Sequence, residues 1–438
     1  MKTINFCFRI HQRFNLKRYR FFEIGNDHYY YDDYANETAI RYTADNCYLE
    51  ANRVLLDMIR SSNGKFKVSF SISGLALEQL EQYAPEVIES FQELAKTGSV
   101  EFLATPYGHS LAAMYNEDEF GEQVKMQANK IKELFGKKPT VFANSALLYS
   151  DEIGEMIANL GYKNIVVEGA KHVLGWKSPN YLYSHAYNNK IKLLVRNNKL
   201  SDDINYRFSN WTWDQYPLTA EKFIGWIKES PAAENIFTVF MGYEALGVLN
   251  NKNSGIFEFF KALPFHAMEQ GVGFALPSEI CEKNKPVDTL TALYPMSWTD
   301  EEKDVSAWCG NELQNEALSK LYNLAERVHL CSDTLLKVDW QRLQDTAHFY
   351  FMTTKHYSDG MIYAQKIPYE SPYEAFMNYM NVLSDFIERV NAQYPTSIEN
   401  EELNALLKTI RNQEEVIEHL EKKVKTQKKI TETTTKKK

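Results

Sequence analysis

The chain has 438 residues, of which 44% are hydrophobic and 24% charged. That balance fits two or three globular domains and excludes a disulfide-stapled miniprotein, a collagenous chain and a wholly disordered one. Its 49 Lys+Arg against 58 Asp+Glu leave a net charge of −9, which repels phosphate backbones and anionic lipid, so neither nucleic acid nor a membrane is expected as a partner.

The first predicted strand, residues 4–11, already carries Arg9 and His11, and Arg13, Lys17 and Arg18 follow closely. No leader core of about 7 to 15 apolar residues can form there. No later stretch reaches the roughly 18 apolar residues of a membrane span, and a cytoplasmic location is expected. Further β-rich runs fall at 65–73, 99–105, 139–145, 164–169, 190–197 and 235–242, with a shorter one at 272–277. Between them the apolar residues take helical spacing, as in Leu75, Leu77, Leu80 and Tyr83 continuing to Val87, Ile88, Phe91 and Leu94, or Ile153 to Leu160 ending at Gly161. Strand and helix alternating this often predict an α/β fold with a parallel sheet over 1–285.

After residues 284–289, which are turn-prone, the pattern becomes helical, and residues 286–400 are predicted to be an α-helical domain. In 401–427 the apolar positions Leu403, Leu406, Ile410, Ile417, Leu420 and Val424 follow a heptad seam interrupted by Gln413. This coiled-coil segment predicts a homo-oligomer through residues 403–424. Residues 428–438 are rich in Lys and Thr and are expected to be a solvated tail. The five cysteines, Cys7, Cys47, Cys281, Cys309 and Cys331, are odd in number and lack CxxC pairing, which fits a reducing compartment rather than a disulfide framework or a zinc knuckle.

Chemistry in parallel α/β barrels gathers where strands end. The polar residues there are His11, Gln12, Tyr107, His109, Asn144, Ser145, Glu168, Asp202, Asp203, Tyr243 and Glu244. They describe a polar pocket. No HxH, HExxH or HxxxD spacing supports a metal, no Gly-rich loop follows a strand to hold a nucleotide, and Ser110 and Ser145 lack a GxSxG elbow. No metal and no cofactor are expected.

The blocks HQ at 11–12, KRYRFFEIGNDHYYYDDYAN at 17–36, PYGHSLA at 106–112, TVFANSALLYSDEI at 140–153, LLVRNNKLSDDINYRFSN at 193–210, FMGYEALG at 240–247, SWTDEEKDVSAWCGN at 297–311 and SPYEAFMNYMNVLSDF at 371–386 resemble the α-amylase group of glycoside hydrolase family 57. The resemblance implies an incomplete (β/α)7 barrel followed by a helical domain, acting on α-glucans or maltooligosaccharides with retention of configuration. Retention needs two carboxyl groups about 5 to 5.5 Å apart, one attacking and one protonating. At the positions where the family places them, this chain has Ala146 for the nucleophile and Gly242 for the acid/base. Thr105 and Gly108 also depart from the family pattern, as do Val248, Leu249 and Asn250.

His11, Gln12, His109, Asp202, Asp203, Arg207, Tyr243, Glu244, Asp304 and Trp308 still match it. Of these, the resemblance implies that His11, Gln12, His109, Asp202, Asp203, Tyr243, Glu244 and Trp308 bind substrate. If residues 144–146 continue a strand, Ser145 aims away from wherever Ala146 points, whereas Glu244 shares the face of Gly242. The leading expectation is therefore a hydrolytically inactive, glucan-binding or regulatory protein. One alternative is an active hydrolase or glucanotransferase using Glu244 with Asp202 or Asp203; another is an interaction scaffold acting through the coiled coil.

Overall fold

A computed structural model describes residues 1–355 and 367–393, together with Thr409 and Gln413. Eight strands organise it: β1 Thr3–Ile10, β2 Val68–Ile72, β3 Val100–Leu103, β4 Val141–Ala143, β5 Asn164–Val167, β6 Leu182–His185, β7 Lys192–Val195 and β8 Ile236–Gly242. Of the short strands that follow, two join these sheets, β9 Gly273–Phe274 and β10 Asp288–Leu290. β1 pairs in parallel with both β2 and β8, and β3 extends the sheet beyond β2. In a second sheet β5 lies between β4 and β7 in parallel, with β6 antiparallel to β7. The sheets meet at two single bridges, Ala104–Phe142 and Arg196–Thr238. The seven strands expected from the sequence therefore follow one another in a ring of pairings.

Period-two alternation decides which side chains line the ring. From β1, Ile4, Phe6, Phe8 and Ile10 pack outward with Phe70 of β2 and with Phe237, Val239, Met241 and Tyr243 from β8 and its end. Asn5, Cys7 and Arg9 take the other face, and Ser69 and Ser71 do so on β2. The outer face is closed by amphipathic helices such as Leu49–Ser61 and Ile256–Glu269. Local sequence sets their ends. Helix Glu117–Phe135 opens where the Asn116 side chain accepts from Glu119 N and closes on Gly136 in the left-handed region.

The apolar stretch 75–94 forms two helices, Gly74–Tyr83 and Pro85–Lys96, rather than one. Pro85 lacks an N–H and excludes the helical conformation at Ala84, which sits at φ −147°, ψ 58°. β6 has no counterpart among the expected strands, and the run at 272–277 shortens to β9 before helix Pro277–Lys283. β10 pairs with β6, so the sheet continues past residue 285. The helices from Ser306 onward share one apolar core with β3, β4, β5 and β7. The heptad seam lies outside the described residues except for Gln413. Among the described residues no helix is long and apolar enough to cross a membrane.

Phe8 sits at the centre of the outer layer, with ring centroids 4.9 Å from Tyr243, 5.9 Å from Phe70 and 6.0 Å from Phe260. Phe8→Ala is expected to cost about 3–5 kcal/mol through lost burial and a cavity. Urea unfolding followed by circular dichroism measures it.

Candidate functional site

The ends of β1 and β8, helix Asp33–Thr43 and the segment around Trp298 enclose a cavity of about 960 Å³. Arg9, His11, Gly242, Glu244 and Trp298 form its inner wall, and Tyr34, Tyr42, Leu249 and Tyr369 line it elsewhere. Tyr34 is 81% exposed, so an aromatic face is presented at the mouth, while Arg9, His11 and Glu244 bring polar groups to the inner wall of an otherwise largely apolar lining.

The electrostatics of the inner wall begin with Arg196, buried at the end of β7. Its Nε donates to Phe240 O at 2.7 Å, Nη1 lies 3.1 Å from Glu168 Oε2, and Nη2 bonds to Asp202 Oδ1. Burial opposes its charge, but the carboxylates of Asp202 and Glu168 outweigh that and hold the guanidinium above its ordinary pKa. Gly169 makes room for this strand end, since a Cβ there would lie 2.3 Å from Arg196 O. The Trp298 indole has the Arg196 guanidinium 5.5 Å and the Arg9 guanidinium 5.3 Å from its ring centroid, both in cation–π range. Arg9 is buried, and its Nε and Nη1 have no hydrogen-bond partner.

Glu244 lies in a short helical turn, Tyr243–Ala245, that directly follows β8. Its Oε1 accepts from the Tyr48 hydroxyl at 3.0 Å. Burial raises its pKa above the usual carboxylate value, against the opposing pull of Arg9. Gly242 lines the same wall; a Cβ there would lie 3.0 Å from Glu244 Oε2 and 3.9 Å from both Arg9 Nη2 and Asn205 Oδ1.

Ala146 is buried and sits at φ 48°, ψ 29° in the turn Ser145–Leu147. Its carbonyl accepts from Trp298 N at 2.9 Å, which places it behind the wall residue Trp298. The strand here ends at Ala143, so the expected alternation between Ser145 and Ala146 does not apply: the backbone has turned, and the buried Ser145 hydroxyl has no hydrogen-bond partner.

Of the expected residues, His11 and Glu244 line the cavity, and His109 lies against His11 outside that lining. His11 and His109 stack with centroids 4.0 Å apart. Burial, and then the charges of Arg9 and Arg13, push the His11 pKa well below the usual imidazole value, and burial and His11 do the same for His109. Gln12 is buried beside Gln79, which donates to its carbonyl. Asp202 is committed to Arg196, and Asp203 accepts from Arg207 Nη1 at 2.7 Å. Tyr243 faces the outer core and donates to Asn52 Oδ1 at 2.6 Å, while Trp308 is fully buried. None of these last five lines the cavity.

Sequence reasoning missed Arg9 as a site residue, together with Asn205, Trp298 and Asp345. A cation inside the apolar run INFCFRIH was the available signal for Arg9. Asp345 left only a helix-cap signature, because its Oδ1 accepts from Ala347 N at the start of helix Thr346–Tyr350.

With this geometry in place, the chain can be set beside known proteins. Residues 5–293 match the family model for glycosyl hydrolase family 57. A "Putative alpha-amylase" of Methanocaldococcus jannaschii is 35% identical over 397 residues, covering 87% of this chain and 84% of that one. Among solved structures, a GH57 branching enzyme of Thermococcus kodakaraensis superposes with a TM-score of 0.63 at 13% identity, over 93% of this chain and 94% of that one. A 4-alpha-glucanotransferase of Thermococcus litoralis gives 0.61 at 14% identity; 87% of this chain is covered, spanning 59% of that longer protein.

The raised pKa of Glu244 has a thermodynamic signature. The folded state holds this proton more tightly than the unfolded chain, so the associated stability is complete below the unfolded carboxylate pKa and is lost as pH rises through the folded value. Glu244→Gln keeps a neutral side chain at every pH. The variant should match the wild type near pH 4 and become progressively the more stable of the two toward pH 8, as read by paired thermal melts across that range.

Proposed function

Because the chain belongs to glycosyl hydrolase family 57, we propose that it is an α-glucan-binding member of that family whose cavity holds a maltooligosaccharide without hydrolysing it, in a binding or regulatory role in α-glucan metabolism. The observation that carries this reading is the cavity wall itself. In that wall Gly242 offers no side chain where the family resemblance implies the acid/base, and behind it Ala146 has only a methyl group where the resemblance implies the nucleophile. Glu244 and the exposed Glu370 are the only carboxylate residues among the lining residues described.

A lone acid can protonate a leaving oxygen, yet without a nucleophile at about 5 to 5.5 Å no glycosyl-enzyme ester forms. The reading of an active enzyme with displaced carboxylates is disfavoured by the engagement of Asp202 with Arg196 and of Asp203 with Arg207. Binding is supported by the polar inner wall and the aromatic mouth, since sugars are held by hydrogen bonds to hydroxyls and by rings against their apolar faces. The ring of seven strand pairings is read as an incomplete (β/α)7 barrel, with the two single-bridge seams as its weak joints. A cytoplasmic setting and self-association through residues 403–424 complete the proposal.

Migration through an amylopectin-containing native gel is expected to be retarded, and Tyr42→Ala to weaken that retardation about fivefold, near 1 kcal/mol for one aromatic contact. Reducing-sugar release from soluble starch should stay at background. Activity above background that disappears in Glu244→Gln would overturn the reading. For the C-terminal segment, truncation after Asn400 should lower the mass measured by light scattering; equal masses for both chains would count against the coiled coil.

A further inference from the structure

Behind the cavity, three side chains from distant parts of the chain converge. His11 follows β1, His109 lies in the loop after β3, and Asp345 caps helix Thr346–Tyr350. The Nδ1 of His11 is 2.9 Å from Ser73 Oγ, and the Nδ1 of His109 is 2.9 Å from Thr346 Oγ1. Each ring is thus fixed through its outer nitrogen, leaving its Nε2 on the inside. Both Nε2 atoms and Asp345 Oδ2 are buried without a well-aligned hydrogen bond, although His11 Nε2 is only 3.1 Å from Asp345 Oδ2. The three donor atoms lie within 4.8 Å of one another, and all three residues are more than nine-tenths buried.

Three buried polar atoms, from two imidazoles and a carboxylate, converge without a well-aligned hydrogen bond, and a cation between them would satisfy all three. We propose that His11, His109 and Asp345 form a binding site for one divalent transition-metal ion, with Zn²⁺ the best match to two imidazole nitrogens and one carboxylate. Zinc takes such ligands at about 2.0–2.2 Å, which sets neighbouring donors on a tetrahedral ion about 3.3–3.6 Å apart. The 3.1 Å His11–Asp345 separation already approaches this, and His109 offers the third donor within 4.8 Å of the others.

Ser73 and Thr346 play the orienting part that hydrogen-bond partners of a ligand's outer nitrogen play in metal sites. The charges of Arg9 and Arg13 act against the ion, and the Asp345 carboxylate compensates. His11 also lines the cavity, so the proposed site adjoins it. The second group of possible ligands, Glu119, Glu122 and His329, is of a different kind: Glu119 is already hydrogen-bonded to His329, Gln123, Gln341 and Gln344.

The test uses the full chain, stripped with a chelator and titrated with Zn²⁺ by calorimetry. One ion per chain is expected, with affinity reduced at least tenfold in His109→Gln and in Asp345→Asn, the latter keeping the Oδ1 cap acceptor. His329→Gln should bind as the wild type does. Zn²⁺ should also raise the melting temperature of the wild type but not of the two ligand variants. Absence of a one-to-one site, or equal affinity in all variants, overturns the proposal and marks the ion as adventitious. Should a ligand variant fail to fold, the Co²⁺-loaded wild type decides: strong visible absorption of a four-coordinate ion supports the site, and weak six-coordinate absorption or none refutes it.

Discussion

The guanidinium of Arg196 is the interaction on which the inner architecture depends. A charge buried that deeply destabilises a protein by several kcal/mol if its partners are missing, so the chain must bring Glu168, Asp202 and the Phe240 carbonyl together around it. Those partners lie after β5, after β7 and in β8. One side chain therefore fastens three strand ends at the place where backbone pairing is thinnest, the single bridge between Arg196 and Thr238. Trp298 packs over the same group, which ties the segment following the last strand to the cavity wall.

This fastening explains much of what could and could not be read from the sequence. The seven parallel strands were legible because each is a short, nearly continuous apolar run bounded by polar residues, the signature of a strand covered on both faces. The face assignment of Glu244 with Gly242 followed from alternation along β8 and its end. Alternation could not place Ser145 and Ala146, because the backbone leaves the strand at Ala143 and takes a left-handed turn that a polar–apolar pattern does not encode.

The functional residues show the same division. His11 was visible at the end of an apolar strand, and it does line the cavity. Asp202 looked like a pocket residue because it follows a strand, yet Arg196, six residues earlier, claims its carboxylate. Tyr243 stands between two wall residues, Gly242 and Glu244, and strand parity sends it into the aromatic cluster with Phe8 and Phe70 instead. Asp345 was illegible: its contacts with residues more than 200 positions away arise only from tertiary packing of the helical segment against the strand ends. Likewise, the fold is shared with solved structures at only 13–14% identity.

Gly242 has a consequence for how this chain can change. Neither Arg9 nor Asn205 obstructs a new side chain there, but the Glu244 carboxyl already leans across the approach, 3.0 Å from where a Cβ would stand. Any larger residue must first displace a neighbour that has settled into a buried, Tyr48-bound pose. The position behaves as a ratchet: drift away from a bulky residue relaxes the wall, and a single reverse step meets resistance until a second site yields.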